Sequence, residues 1–198
     1  MTALDGASTG AMGTTGAGLP GAAAEEPSSV AEFWLDRRLL MIVGLALLIR
    51  AGWCLFLQIV PISDQISYHN FAVTMVEHGT YGWRADQPTA FWPVGYSAAL
   101  AGIYLTFGQA LGVVEAFNTA VSVGIVWLTG LVGRHYFGVR IGLLAALLTA
   151  LWPTQTFFTT VLASEPLFMF LFLAGVVAVI RSDGQSLWGW ALAGLFWA

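Results

Sequence analysis

The 198-residue chain is 58 % hydrophobic and 9 % charged, with a mean hydropathy of +0.77, well above the roughly 45–50 % apolar content of a soluble domain. Its formal charge of −4, with the acids mostly in the tail and loops, gives no reason to expect nucleic-acid binding. The single cysteine, Cys54, excludes an intrachain disulfide and argues against a cysteine-built metal site.

This is the composition of an integral membrane protein. Several apolar runs approach the ~20 residues of a membrane-crossing helix, and alternating ten-residue strands are missing. The expected fold is therefore all-α, a polytopic helical bundle rather than a barrel. In chain order, residues 1 to 30 are rich in Gly, Ala, Ser and Thr. They lack the large apolar side chains that would offset the ordering entropy of the chain, and read as a disordered tail. Residues 31–198 read as the membrane module. Ser29 and Glu32 have capping-box spacing, so a helix at the membrane surface is expected to run through Phe33 and Trp34 to Arg37 and Arg38. That arginine pair assigns the N-terminus to the cytoplasm.

The first span is expected over 39–60, too long an apolar run for a cleaved signal peptide. Residues 65–78 follow as an amphipathic surface helix in the first outer loop, with Tyr68, Phe71, Ala72, Met75 and Val76 on one stripe and Gly79 as its stop. Further apolar runs cover 94–108, 116–133, 141–162 and 166–180. The final "SLWGWALAGLFWA" opens another span, so the chain reads as the N-terminal part of a longer protein.

Charge decides the topology of these runs. Arg134 and Arg140 bracket a tight turn, which the positive-inside rule places in the cytoplasm; Arg181 points the same way. With that turn inside, residues 93 and 115 both lie outside, and 94–108 is a re-entrant or surface-lying helix, being short for a crossing. Asp64 and Glu165 then share the outer face. A complete crossing by 93–114 is the rival, and it puts the Arg134 turn outside.

Each polar candidate has a plain structural explanation beside a chemical one. Asp64, after Ser63 and just before the surface helix, stands where an N-cap is expected; a carboxylate at the lip of a bundle can equally accept a substrate proton. Glu165 precedes Pro166, where helix-start electrostatics explain an acid as readily as chemistry does. Arg50 lies near the middle of the first span, where a charge is costly. A buried pairing or a contact with an anionic ligand competes there with snorkelling to the headgroups. Tyr68, one helical turn from Asp64, can touch the same ligand or serve as an interfacial anchor, as Trp83 and Trp92 can. His69 and His78 do not share a helix face, which argues against a metal site built from the pair.

The order of features carries more information than any one of them. A first span holding Arg50 is followed by "SDQISYHNFAVTMVEHGTYG", "FWPVGYSAALAGIYLTFG", "AFNTAVSVGIVWLTGLVGRHYFGVRIGLLAALLTALWP" and "TTVLASEPLF". Over roughly residues 36 to 181 this order resembles the N-terminal module of the GT-C membrane glycosyltransferases. It is most similar to the dolichyl-phosphate-mannose protein mannosyltransferases and the bacterial lipid A aminoarabinose transferases. The resemblance implies that Asp64 is a general base that deprotonates an acceptor hydroxyl or amine, which attacks a polyprenyl-phosphate sugar with inversion. It implies that Glu165 orients a lipid, glycan or protein acceptor or supports Asp64. Tyr68, Arg84 and Arg50 are the expected substrate contacts, with Arg84 or Arg50 facing the departing phosphate. The expected location is the plasma (inner) membrane, among whose lipids the chain would sit.

The sequence departs from that pattern at two points. Asp64 is flanked by Ser63 and Gln65 where many relatives carry two adjacent acids, and Phe91 and Trp92 stand where some carry a metal-associated acid. No cofactor is expected; a divalent metal stays open. The competing functions are a lipid or sugar transporter, with Arg50 lining its path, and a non-catalytic membrane relative.

Overall fold

The computed structural model describes residues 35–182 and 186–197. The expected tail, the Ser29–Glu32 capping box and Phe33 with Trp34 lie outside the described residues. Helix α1 (Arg37–Phe56) is capped by Asp36, whose carboxylate accepts from the Arg38 N–H at 2.7 Å. The chain leaves it extended at Leu57, so the apolar run outlasts the helix by four residues. Helix α2 (Asp64–His78) ends at Gly79, which adopts the left-handed conformation (φ 67°) and returns its N–H to the Met75 carbonyl. Ser67, Tyr68, Phe71, Ala72 and Thr74 are its buried residues, with Met75 and Val76 half-buried against the same core.

A small antiparallel hairpin follows, β1 (Gly82–Arg84) with β2 (Gln87–Pro88), an element that composition gives no hint of. A side chain at position 82 would collide with the Gln87 carbonyl, which is why glycine stands there. Helix α3 (Val94–Phe107) has 14 residues, so at ~1.5 Å per residue it extends about 21 Å, short of the roughly 30 Å hydrocarbon layer. Helix α4 (Leu111–Phe137) is the longest and the most buried of the three long apolar helices, 44 % of its most apolar window against 17 % for α1. The core forms around it.

The run expected as one span over 141–162 is broken. Helix α5 (Val139–Leu151) stops before Pro153, helix α6 (Pro153–Phe157) leaves at 54° to it, and a 3-10 turn (Phe158–Thr160) completes the segment. Proline lacks the N–H that the preceding turn needs and clashes with it, so the bend has a local cause. Helix α7 (Ser164–Arg181) and helix α8 (Leu187–Trp197) close the described chain. Three helices, α1, α4 and α7, are long and apolar enough to cross a membrane, or four spans if the bent pair counts as one.

The apolar core has two tiers. One joins Leu39 and Ala46 of α1 to Val126, Leu128 and Leu131 of α4, Ala146 and Ala150 of α5, and Val177 of α7. The other joins Ile59, Tyr68 and Ala72 to Tyr96, Leu100, Ala101 and Tyr104 of α3, Val114 of α4, and Leu162. Helix α3 contributes to the second tier along its length, packed on α2 and the start of α4. That tier floors the candidate site.

Candidate functional site

Two stretches about a hundred residues apart in sequence face each other across an open cavity of about 280 Å³. Ile62, Ser63, Asp64, Gln65 and Tyr68 form one wall; Phe158, Val161, Leu162, Ala163 and Glu165 form the other. Asp64 and Glu165, paired by the topology argument, therefore meet at one end of the bundle. Each stands in the first turn of its helix, α2 and α7, where the helix dipole favours a carboxylate.

The Asp64 side is built on a strained turn. The N-cap position falls on Ser63, one residue earlier than expected for Asp64, and Ser63 holds φ 49° and ψ −122°. Such a backbone is uncommon for a residue with a Cβ and costs about 1–3 kcal/mol. It turns the extended segment 57–62 into α2, and the Ser63 hydroxyl donates to Asp64 Oδ1 at 3.2 Å. Upstream, Glu115 of α4 anchors the same segment by accepting the Ile59 N–H at 2.9 Å. Glu115 and Gln65 are functional supports that the sequence alone did not single out. Gln65 Oε1 accepts the Leu162 N–H at 3.4 Å and so ties the two walls together.

Tyr68 lies on the cavity floor. Its ring meets Tyr96 and Trp92 edge-on, with centroids 5.0 and 5.5 Å away, and its hydroxyl lies 3.4 Å from Ser164 Oγ. The opposite wall hangs on buried polar groups. Asn118 Nδ2 donates to the Thr159 and Val161 carbonyls at 3.4 and 3.0 Å, Trp53 Nε1 to Thr160 Oγ1 at 3.1 Å, and the Cys54 thiol to Thr159 Oγ1 at 3.5 Å. Irregular backbone persists inside a bundle only where its polar groups find such partners.

Neither Arg50 nor Arg84 lines the cavity. Arg84 is exposed on β1. Arg50 is fully buried and donates to Ser122 Oγ and to three backbone carbonyls. Among the described residues, no group of three or more His, Cys, Asp or Glu side chains is placed to hold a metal ion.

Behind the floor, His69 Nδ1 and the Tyr104 hydroxyl lie 2.8 Å apart. Burial lowers the His69 pKa from its ordinary value. The unfolded chain therefore binds a proton more readily than the folded one, and stability rises with pH. The contribution is complete above the unfolded value near 6.5 and is lost as pH falls through the lower folded value. Acidification from about pH 7 to about pH 5 is expected to lower the thermal midpoint. His69→Gln should flatten that dependence; an unchanged slope in the variant would assign it to other groups.

Comparison with known family models, curated proteins and solved structures gives no match for this chain.

Proposed function

We propose that the chain is the N-terminal transmembrane module of a multi-pass membrane glycosyltransferase that takes a sugar from a polyprenyl-phosphate carrier. The observation that carries this reading is the meeting of Asp64 and Glu165, from two distant helix starts, across one cavity with a tyrosine on its floor. The order of motifs along the sequence points to the same chemistry. The Asp64 carboxylate takes the proton of an acceptor hydroxyl or amine, and the freed lone pair forms the new bond to the anomeric carbon. The bond from that carbon to the phosphate oxygen breaks on the opposite face, and prenyl phosphate leaves with the electron pair. Configuration therefore inverts. Glu165 orients the acceptor, a lipid, glycan or protein, and Tyr68 offers a hydroxyl to the same ligand. Two carboxylates flanking the reacting centre follow the general logic of inverting sugar chemistry.

In this reading the bundle sits in the plasma (inner) membrane with the N-terminus in the cytoplasm, α2 lies along the outer surface and α3 does not cross. The apolar side chains left bare, Leu48 at 72 % exposure and Leu55 at 84 % among them, face lipid. Arg84, exposed on β1 and outside the cavity lining, is the proposed contact for the carrier phosphate. The test is sidedness. In a Cys54→Ser background, Asp64→Cys and Glu165→Cys are each labelled on intact cells with a membrane-impermeant maleimide. Both positions should react from outside. Reaction of only one, or of neither until the membrane is opened, overturns the extracytoplasmic site.

A further inference from the structure

Arg50 is fully buried in α1, yet none of its four acceptors is a carboxylate. Two of them are the Ala150 and Thr149 carbonyls, reached by Nη1 at 3.1 Å and Nη2 at 3.4 Å. These belong to the last turn of α5, whose carbonyls have no intrahelical donors. The residue four positions beyond Thr149 is Pro153, which has no N–H to give. The Thr149 carbonyl receives two long bonds of 3.4 Å, one from Trp152 N and one from Arg50 Nη2. The guanidinium thus stands where Pro153 leaves a gap, and its charge complements the negative end of the α5 dipole.

A second connection runs through α4. Arg50 Nε donates to Ser122 Oγ at 2.7 Å, and the Ser122 hydroxyl donates onward to the Gln155 carbonyl of α6 at 3.3 Å. Arg50 therefore grips the bend from both sides, α5 directly and α6 by relay. Beyond the bend the chain runs straight into Phe158, Val161, Leu162 and Glu165, the wall opposite Asp64. We propose that Arg50 is a positioning residue: by holding the α5–α6 break in register, it sets the separation of Glu165 from Asp64. This goes beyond the transferase reading and holds for any reaction run in the cavity.

The test measures that separation without an activity assay. Spin labels at Ile62→Cys and Glu165→Cys, in the Cys54→Ser background, report the distance between the two walls by pulsed dipolar spectroscopy. With Arg50 the distribution should be narrow. Arg50→Met should broaden it and shift its mean by up to about 5 Å, the pitch of one helical turn. Arg50→Lys should fall between, because an ammonium reaches the carbonyls but not the Ser122 relay. Pro153→Ala, which restores an N–H toward Thr149, should recover part of the thermal midpoint lost in Arg50→Met. Ser122→Ala is the milder variant and should broaden the distribution in the same sense, should Arg50→Met fail to fold. An unchanged distribution in Ser122→Ala, or in folded Arg50→Met, overturns the proposal and leaves Arg50 as a filler of its own site.

Discussion

If the proposed transferase function holds, Asp64→Asn is expected to lower sugar transfer by about 10²- to 10⁴-fold, the usual worth of a positioned general base, with little change in folding. The amide keeps the size of the carboxylate, and its oxygen can still accept from the Ser63 hydroxyl, which lies 3.2 Å from Oδ1. What it loses is the capacity to take a proton. The fall should therefore appear in kcat, while the apparent affinity for the carrier lipid changes little. Glu165→Gln should cost less, because an orienting group retains most of its hydrogen-bonding capacity as an amide. The measurement is transfer from a polyprenyl-phosphate sugar by the membrane-embedded protein. Full activity in Asp64→Asn would remove the base from this position.

Gly142→Ala should be the most damaging single-methyl change in the bundle. An added Cβ would lie 2.6 Å from Arg134 N, 2.7 Å from the Gly130 carbonyl oxygen and 2.9 Å from Arg134 Cα. All three are backbone atoms, so no side chain can rotate away and α4 and α5 must separate. Overpacking of this kind costs about 1–3 kcal/mol, more where the surroundings are rigid. Gly44→Ala in α1 is the control, since its Cβ would meet nothing within 4 Å. Alanine is the better helix former by about 1 kcal/mol, so that variant should hold or raise stability. Thermal midpoints of the two purified variants, measured side by side in one detergent, decide the matter. Equal midpoints would mean that the α4–α5 crossing yields more easily than its geometry implies.

The sequence was most informative where a local rule sufficed. Apolar runs located α1, α4 and α7 because length and hydropathy are properties of single segments, and Gly79 marked the end of α2 because the left-handed C-cap is a one-residue requirement. Asp64 and Glu165 line one cavity; the charge reading of the Arg134 and Arg140 turn concerned their side of the membrane, which is a separate matter. The end of α1 was misplaced because Leu57 to Val60 are as apolar as the helix before them, and what draws Ile59 out of it is Glu115, distant in sequence. The run 141–162 contains Pro153, yet hydropathy is blind to the missing N–H. Burial of Arg50 was one of the readings its mid-span position allowed, but the identity of its partners was out of reach. Its partners are one carbonyl of its own helix and two carbonyls and a serine of other helices, and no residue pattern announces a carbonyl that lacks a donor.

The hairpin is packed onto α2 through one aromatic contact site. Phe71, fully buried midway along α2, is clasped edge-on by Tyr81 at 4.9 Å and Trp83 at 4.7 Å, so the hairpin cannot move without the helix. At ~1.5 Å per residue, the 15 residues of α2 make a lever about 22 Å long. Asp64 rides on one end and the aromatic clasp grips the middle. A substitution at Tyr81 or Trp83 therefore acts on the helix that carries Asp64, and through it on one wall of the cavity.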